Sequence, residues 1–312
     1  MFSVSDGYLP LTGTQFDISA GDYSATVTEL GAGLRALRHR GQPVVAEYGP
    51  DVLPPGAAGQ LLCPWPNRVN HGTYTIAGTT YQLDLSEPGN QNAIHGLTRW
   101  SGWSALRQSA HEISLRHVLL GHQGYPFCME FEAGYRLDAA AGLQVTISAR
   151  NIGAVAAPYG TGSHPYLTAG TPEVDECQLT LPAGRWLPVD ERGIPAGPAQ
   201  DVTGSGHDFR TPRPLAGVVL DHALTGLERG RDGRAVAVLA GGGTEVALWA
   251  GPGYRWLQAF TGDTLDADRR RRALAIEPMT CPPNAFASGE DLLMLEPGDS
   301  VTHTWGVVVT TG

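Results

Sequence analysis

The chain has 312 residues, 42% of them hydrophobic and 17% charged, with a net charge of −10. That is enough apolar material for one large globular core, and so acidic a chain lacks the positive excess that nucleic acid or an anionic membrane demands, so neither is expected as a partner. All 21 basic residues are arginine, which removes Schiff-base chemistry on a lysine amine and any Walker-type phosphate loop.

The opening "MFSVSDGYLP" lacks a basic region followed by an apolar one, so no secretory leader is expected. No later run approaches the ~20 apolar residues of a membrane span. Short runs alternating apolar and polar residues then follow one another: "YSATVTEL" (23–30), "GTYTIAGTTYQLDL" (72–85), "EISLRHVLL" (112–120), "MEFEAGYRL" (129–137), "LQVTISARN" (143–151), "AVAVLA" (235–240), "TEVALWA" (244–250) and "THTWGVVVT" (302–310). Period-two alternation rich in Val, Thr, Ile and Tyr, punctuated by Gly, Asn and Pro, predicts strands. "GTYTIAGTTYQL" predicts a hairpin turning at Ala77-Gly78. No amphipathic helical pattern of three turns occurs, so the chain reads as all-β, a sandwich or barrel. With no shift in composition to mark a boundary, residues 1–312 read as a single domain. The Pro- and Gly-rich segment 183–215 reads as an extended surface connection. "DRRRRALAI" (268–276) reads as a charged loop that keeps the following apolar strand soluble.

Several local signals fail on context. "ELGAGLRA" (29–36) fits a dinucleotide fingerprint, with Asp51 at the expected distance, but Gly41 and Pro43 leave no room for the helix it requires, so strand–turn–strand is the better reading. No serine sits in G-x-S-x-G and HExxH is absent. Cys63, Cys128, Cys177 and Cys281 are scattered without a CxxC pair, so reduced thiols in a cytoplasmic protein are expected, with neither a disulfide framework nor a metal cage.

Four stretches gather polar side chains inside apolar, turn-forming surroundings. In "CPWPNRVNHG" (63–72), Asn67 and Arg68 follow a Pro-Trp-Pro run that extends the backbone. In "NAIHGLTRW" (92–100), His95 precedes a glycine that lets the chain turn sharply. In "TGSHPYLTAG" (161–170), Pro165 forces His164 into extended geometry. In "AIEPMTCPPNAF" (275–286), Glu277 closes an apolar run, where burial would raise its pKa. Taken singly, each is as well explained by a structural residue.

Most of the chain, roughly residues 15–310, resembles the aldose 1-epimerase family. The resemblance is carried by "NRVNHGTYTIAGTTYQL" (67–83), "NAIHG" (92–96), "GYPF" (124–127), "GSHPYL" (162–167), "LDHAL" (220–224), "LQAFTG" (257–262) and "IEPMTCPPNAF" (276–286). It implies a large antiparallel β-sandwich and interconversion of the α and β anomers of a free monosaccharide, with no metal and no cofactor, in a monomer or homodimer. It further implies Glu277 as base and His164 as acid, with His95 near the ring oxygen. Asn67, Arg68, Asp221 and Gln258 would bind sugar hydroxyls, and Trp249, Trp100 or Phe260 would offer an aromatic face. The family's better-known galactose enzymes follow the catalytic histidine with Ser-Tyr, where Pro165 stands here. Glucose, or a modified sugar such as a sulfonated glucose, is therefore an alternative to galactose. Two rival readings remain: a hexose-6-phosphate 1-epimerase, for which Arg68 and Arg99 are available, and a non-catalytic sugar-binding sensor on the same fold.

Overall fold

The computed structural model describes residues 8–311; the opening residues on which the absence of a leader was read lie largely outside them. Two antiparallel sheets dominate. A nine-stranded sheet runs in the order 104–108, 112–119, 129–138, 142–151, 300–311, 244–250, 235–241, 178–180, 213–214. An eight-stranded sheet runs 200–201, 183–186, 221–227, 256–260, 274–279, 162–163, 61–62, with Tyr166–Leu167 also pairing with the strand Leu274–Met279. A four-stranded sheet over residues 15–43 completes the layers.

The alternation seen in the sequence is the inward–outward pleat of the nine-stranded sheet. Along Met129–Asp138 the residues Met129, Phe131, Ala133, Tyr135 and Leu137 are buried while their neighbours face outward. These join Leu224, Leu257, Ala259 and Ile276 from the eight-stranded sheet in one buried cluster, so the chain is the expected antiparallel β-sandwich. The hairpin forms as read: Thr73–Ile76 pairs with Thr79–Gln82, and Ala77 and Gly78 both take positive φ, as a type I′ turn requires. "ELGAGLRA" is the turn between two antiparallel strands. The single α-helix among the described residues is the four-residue Ala285–Ser288.

Two readings need correction. Segment 183–215 is more than a surface connection: Ala183–Trp186 pairs with Asp221–Leu227, and Val202, Phe209 and Leu215 are fully buried. Its strands span only two to four residues, too short for periodicity to register. The arginine run is not uniformly solvated either. Arg271 donates to both Asp175 oxygens (2.8 and 3.1 Å), to Asp263 (2.8 Å) and to the Val218 and Leu215 carbonyls. It ties three loops to the edge of the core.

Removing one partner from a largely buried ion pair leaves the others unpaired. Arg271→Ala should therefore cost about 3 kcal/mol in denaturant unfolding, whereas Arg270→Ala, exposed one residue away, should stay within about 0.5 kcal/mol.

Candidate active site

The strand Leu274–Met279 is buried along its whole length, on both pleat faces. One face, with Leu274 and Ile276, enters the core. On the other face, Glu277 lies directly across from Gln258 on the strand Trp256–Phe260. Phe260 is in turn opposite Asp221 on the strand Asp221–Leu227. Residues opposite one another, or two apart on one strand, share a face, so Asp221, Gln258, Phe260 and Glu277 project together. Gln258 Nε2 donates to Asp221 Oδ1 at 2.6 Å, while its Oε1 is buried without a protein partner.

His164 arrives from the other side of the same strand. Gly162–Ser163 and Tyr166–Leu167 both pair with Leu274–Met279, and His164-Pro165 forms the break between them. The His164 backbone is pinned there: its N–H donates to the Gln60 carbonyl (3.1 Å) and its carbonyl accepts from the Gly59 N–H (2.8 Å). Its Nε2 stands 3.3 Å from Glu277 Oε1, and the two side chains are 6% and 3% exposed. The Tyr166 ring stacks on the His164 ring at 4.8 Å, and its hydroxyl donates to the Gly56 carbonyl.

His95 meets His164 edge-on, ring centroids 5.4 Å apart. It is held by an N–H donated to the Asn67 carbonyl (2.9 Å), with both residues at positive φ. Gly96 makes this approach possible, since a Cβ there would come 2.1 Å from the Cys63 carbonyl oxygen. These side chains line a cavity of about 350 Å³, together with Asn67, Arg68, Arg99, Trp100 and Tyr166, a size suited to a small polar ligand. His95 Nδ1, His164 Nδ1 and Glu277 Oε2 are buried with no protein partner. In the wall of a cavity such atoms are available to hydrogen-bond a ligand.

Burial, reinforced by the negative charge of Asp221 and opposed by Arg68, raises the Glu277 pKa well above the carboxylate range. Burial, with smaller effects from Arg99 and Arg68, pushes His164 down to about 3. His95 is lowered well below the ordinary imidazole value, again chiefly by burial. Burial thus disfavours the charged form of both groups, so a proton shared by the Glu277–His164 pair is favoured on Glu277, and its titration is a property of the pair.

The structure thus brings together seven of the eight residues expected at the site: Glu277, His164, His95, Asn67, Arg68, Asp221 and Gln258. Trp249 is the exception. It lies on the strand Thr244–Ala250 of the other sheet, at the parity opposite to the core residues Val246 and Leu248, beneath the Arg234 guanidinium 3.9 Å from its centroid. It packs against Gly306 and not against the cavity. Trp100 and Phe260 supply the aromatic lining instead. Sequence reasoning missed Glu87, which grips Arg68 through both oxygens (2.9 and 3.0 Å); an acid before a proline offered no signal of that. Among the described residues, no group of three or more His, Cys, Asp or Glu is placed to hold a metal, and no helix is long and apolar enough to cross a membrane.

Residues 14–307 match the family model described as aldose 1-epimerase. The chain is 38% identical to the uncharacterized protein YihR of Escherichia coli K12, covering 92% of this chain and 90% of that one. It is 27% identical to the galactose mutarotase of Sus scrofa, over 76% and 74% respectively. A GalM/aldose epimerase homologue from C. elegans superposes with a TM-score of 0.85 over 95% of this chain and 98% of its own, at 20% identity. A galactose 1-epimerase from Lactobacillus acidophilus does so with a TM-score of 0.83 over 100% and 97%, at 18% identity. Likenesses at that identity speak to the fold.

A carboxyl whose pKa is raised by folding contributes stability that is complete below the ordinary carboxylate pKa and is lost as pH rises toward the folded value. Glu277→Gln has no such group. Its stability relative to the wild type should therefore rise between pH 4 and pH 8, measured as the denaturant midpoint, and a flat difference would show that Glu277 ionises freely.

Proposed function

Since the chain belongs to the aldose 1-epimerase family, we propose that it interconverts the α and β anomers of a free aldose, with Glu277 as base and His164 as acid. The observation that carries this reading is the buried contact between His164 Nε2 and Glu277 Oε1 at 3.3 Å in a cavity of sugar size. Ring opening moves one proton off the anomeric hydroxyl and one onto the ring oxygen, so the catalyst starts and ends with the same number of protons. A pair holding one proton meets that condition: with the proton on His164, Glu277 takes the anomeric proton while His164 protonates the ring oxygen. The anomeric bond to the ring oxygen breaks, the aldehyde rotates, and reclosure on the other face runs the transfers in reverse. Burial raises the Glu277 pKa and lowers that of His164, so the arrangement with the proton on His164 is the less populated one and is reached by transfer within the contacting pair before the ring opens. Gln258, Asp221, Asn67 and Arg68 are the hydroxyl-binding groups, and His95 lies beside His164 at the ring-oxygen side.

The lining also bears on the substrate. Arg99 has no carboxylate partner among the described residues; its guanidinium lies over the Trp100 ring at 5.0 Å. Arg68 is already engaged by Glu87. A phosphate dianion draws on converging guanidinium groups, and one uncommitted arginine suits a singly charged substituent better. This favours a sugar carrying a monoanion, such as a sulfonated glucose, over a hexose 6-phosphate, with neutral glucose and galactose as the baseline. Arg99→Gln should raise KM for sulfoquinovose by about tenfold or more, the worth of a charged hydrogen bond, and leave KM for glucose nearly unchanged. Equal effects on both would assign Arg99 to structure.

Anomer exchange measured by NMR on glucose, galactose, xylose, sulfoquinovose and glucose 6-phosphate tests the function. Glu277→Gln and His164→Asn should each slow the exchange about 10²-fold or more. A wild-type protein that binds a sugar without exchanging its anomers would instead be a sensor.

A further inference from the structure

Glu87 lies outside every motif that identified the site, yet it is fixed more firmly than most of the site residues. Its Oε2 accepts from Arg68 Nε and from Asn92 Nδ2, both at 2.9 Å, and its Oε1 accepts from Arg68 Nη2 at 3.0 Å. Backbone bonds with Asn92 close the short loop that carries it. A second segment, remote in sequence, locks this loop. Asn92 Nδ2 also donates to the Arg192 carbonyl (2.9 Å), and Arg192 donates to the Asn90 carbonyl (2.8 Å) and to Asn92 Oδ1 (3.1 Å). Next to it, Gly193 lies so close to the Arg68 guanidinium that a Cβ would come 2.5 Å from Nη1 and 2.8 Å from Cζ. One edge of the guanidinium is thus taken by Glu87 and Gly193 packs close beside it, while Nη1 makes no hydrogen bond to the described residues.

We propose that Glu87 is a positioning residue for the anomer exchange: it holds Arg68 in one orientation at the cavity wall, with Nη1 as donor to a substrate hydroxyl, and balances its charge beside the Glu277–His164 pair. The proposal rests on the epimerase reading. A fork held on both oxygens loses no rotamer freedom when the sugar binds, so orientation acts on KM. Charge balance acts on the proton pair. Glu277 is faced by His164, Tyr166, Asp221 and Arg68, with His95 and Arg99 beyond, and Arg68 works against the protonated form of Glu277, His164 and His95 alike. An unbalanced guanidinium would therefore move both limbs of the pH–rate profile to lower pH.

The test is a cycle of wild type, Glu87→Gln, Arg68→Met and the double variant, with anomer exchange followed by NMR on the aldose that the wild type turns over fastest. Glu87→Gln should raise KM about tenfold or more, the cost of a slightly misplaced binding group, and shift both limbs of kcat/KM acidward. In the Arg68→Met background the same change should alter kcat/KM by less than about twofold, because its target is gone. Glu87→Asp keeps the charge and shortens the reach, so KM should rise with the limbs unmoved; it carries the test should Glu87→Gln fail to fold by circular dichroism. An active wild type whose KM and limbs survive Glu87→Gln, or whose KM survives Glu87→Asp, overturns the positioning role alone. An equal loss with and without Arg68 does the same. A wild type that exchanges no sugar overturns the epimerase reading beneath it.

Discussion

Glu277 sits on a strand that has no exposed face, and that placement shapes everything around it. Ile276, its neighbour, packs in the core of the sandwich, so the strand cannot turn to bring the carboxyl to water. The carboxyl can be tolerated at 2% exposure only if it is protonated or compensated, and the structure brings an imidazole to 3.3 Å from it. A fold that buried this acid beside aliphatic side chains would have an unstable core. A fold that exposed it would have an ordinary carboxylate with no reason to exchange protons near neutrality.

The surroundings follow from the same constraint. The strand Leu274–Met279 pairs on one side with the strand bearing Gln258 and on the other with the two short strands that flank His164. Glu277 and His164 are thus set by neighbouring positions in one sheet, where the strand spacing holds them in contact. Arg68 opens the short strand Arg68–Asn70, paired with Asn92–Ile94, and Asn67 and His95 flank that pair at positive φ; their geometry depends on close backbone approaches such as that of Gly96 to Cys63. The sheet thus fixes the Glu277–His164 contact, and the segments carrying Asn67, Arg68 and His95 complete the cavity wall beside it.

The charges around the pair are arranged with similar economy. Arg68 and Arg99 both favour loss of protons from the pair, and Asp221 opposes them at Glu277. Arg68 is matched by Glu87, and Glu87 in turn is held below the ordinary carboxylate range: burial works against its charge, but the bonds from Arg68 and Asn92 outweigh it. Arg99 lines the cavity and has no carboxylate partner among the described residues. The cavity wall therefore carries a positive group, Arg99 beside the half-exposed Trp100, and a negative one, Asp221 beside Gln258.

The outer sheet was legible from residue order, because a sheet with one wet face writes its pleat into the sequence as alternation; Met129–Asp138 and Gly142–Asn151 are read directly. The eight-stranded sheet was less so: Leu274–Met279, buried on both faces, showed only as an apolar run without alternation, and Ala183–Trp186 is too short to show a period. Trp249 shows the limit from the other side: an aromatic residue near the right motifs faces away from the cavity, and only strand parity in the folded sheet reveals it. The residue types that acid–base chemistry needs, and the turn and proline positions that present them, were properties of the sequence alone, because they follow from local backbone preferences and side-chain chemistry. That His164 touches Glu277, 113 positions away by the numbering, and that Glu87 holds Arg68, were decided by the tertiary structure, because contacts between strands distant in sequence depend on sheet order and register, which no local pattern encodes.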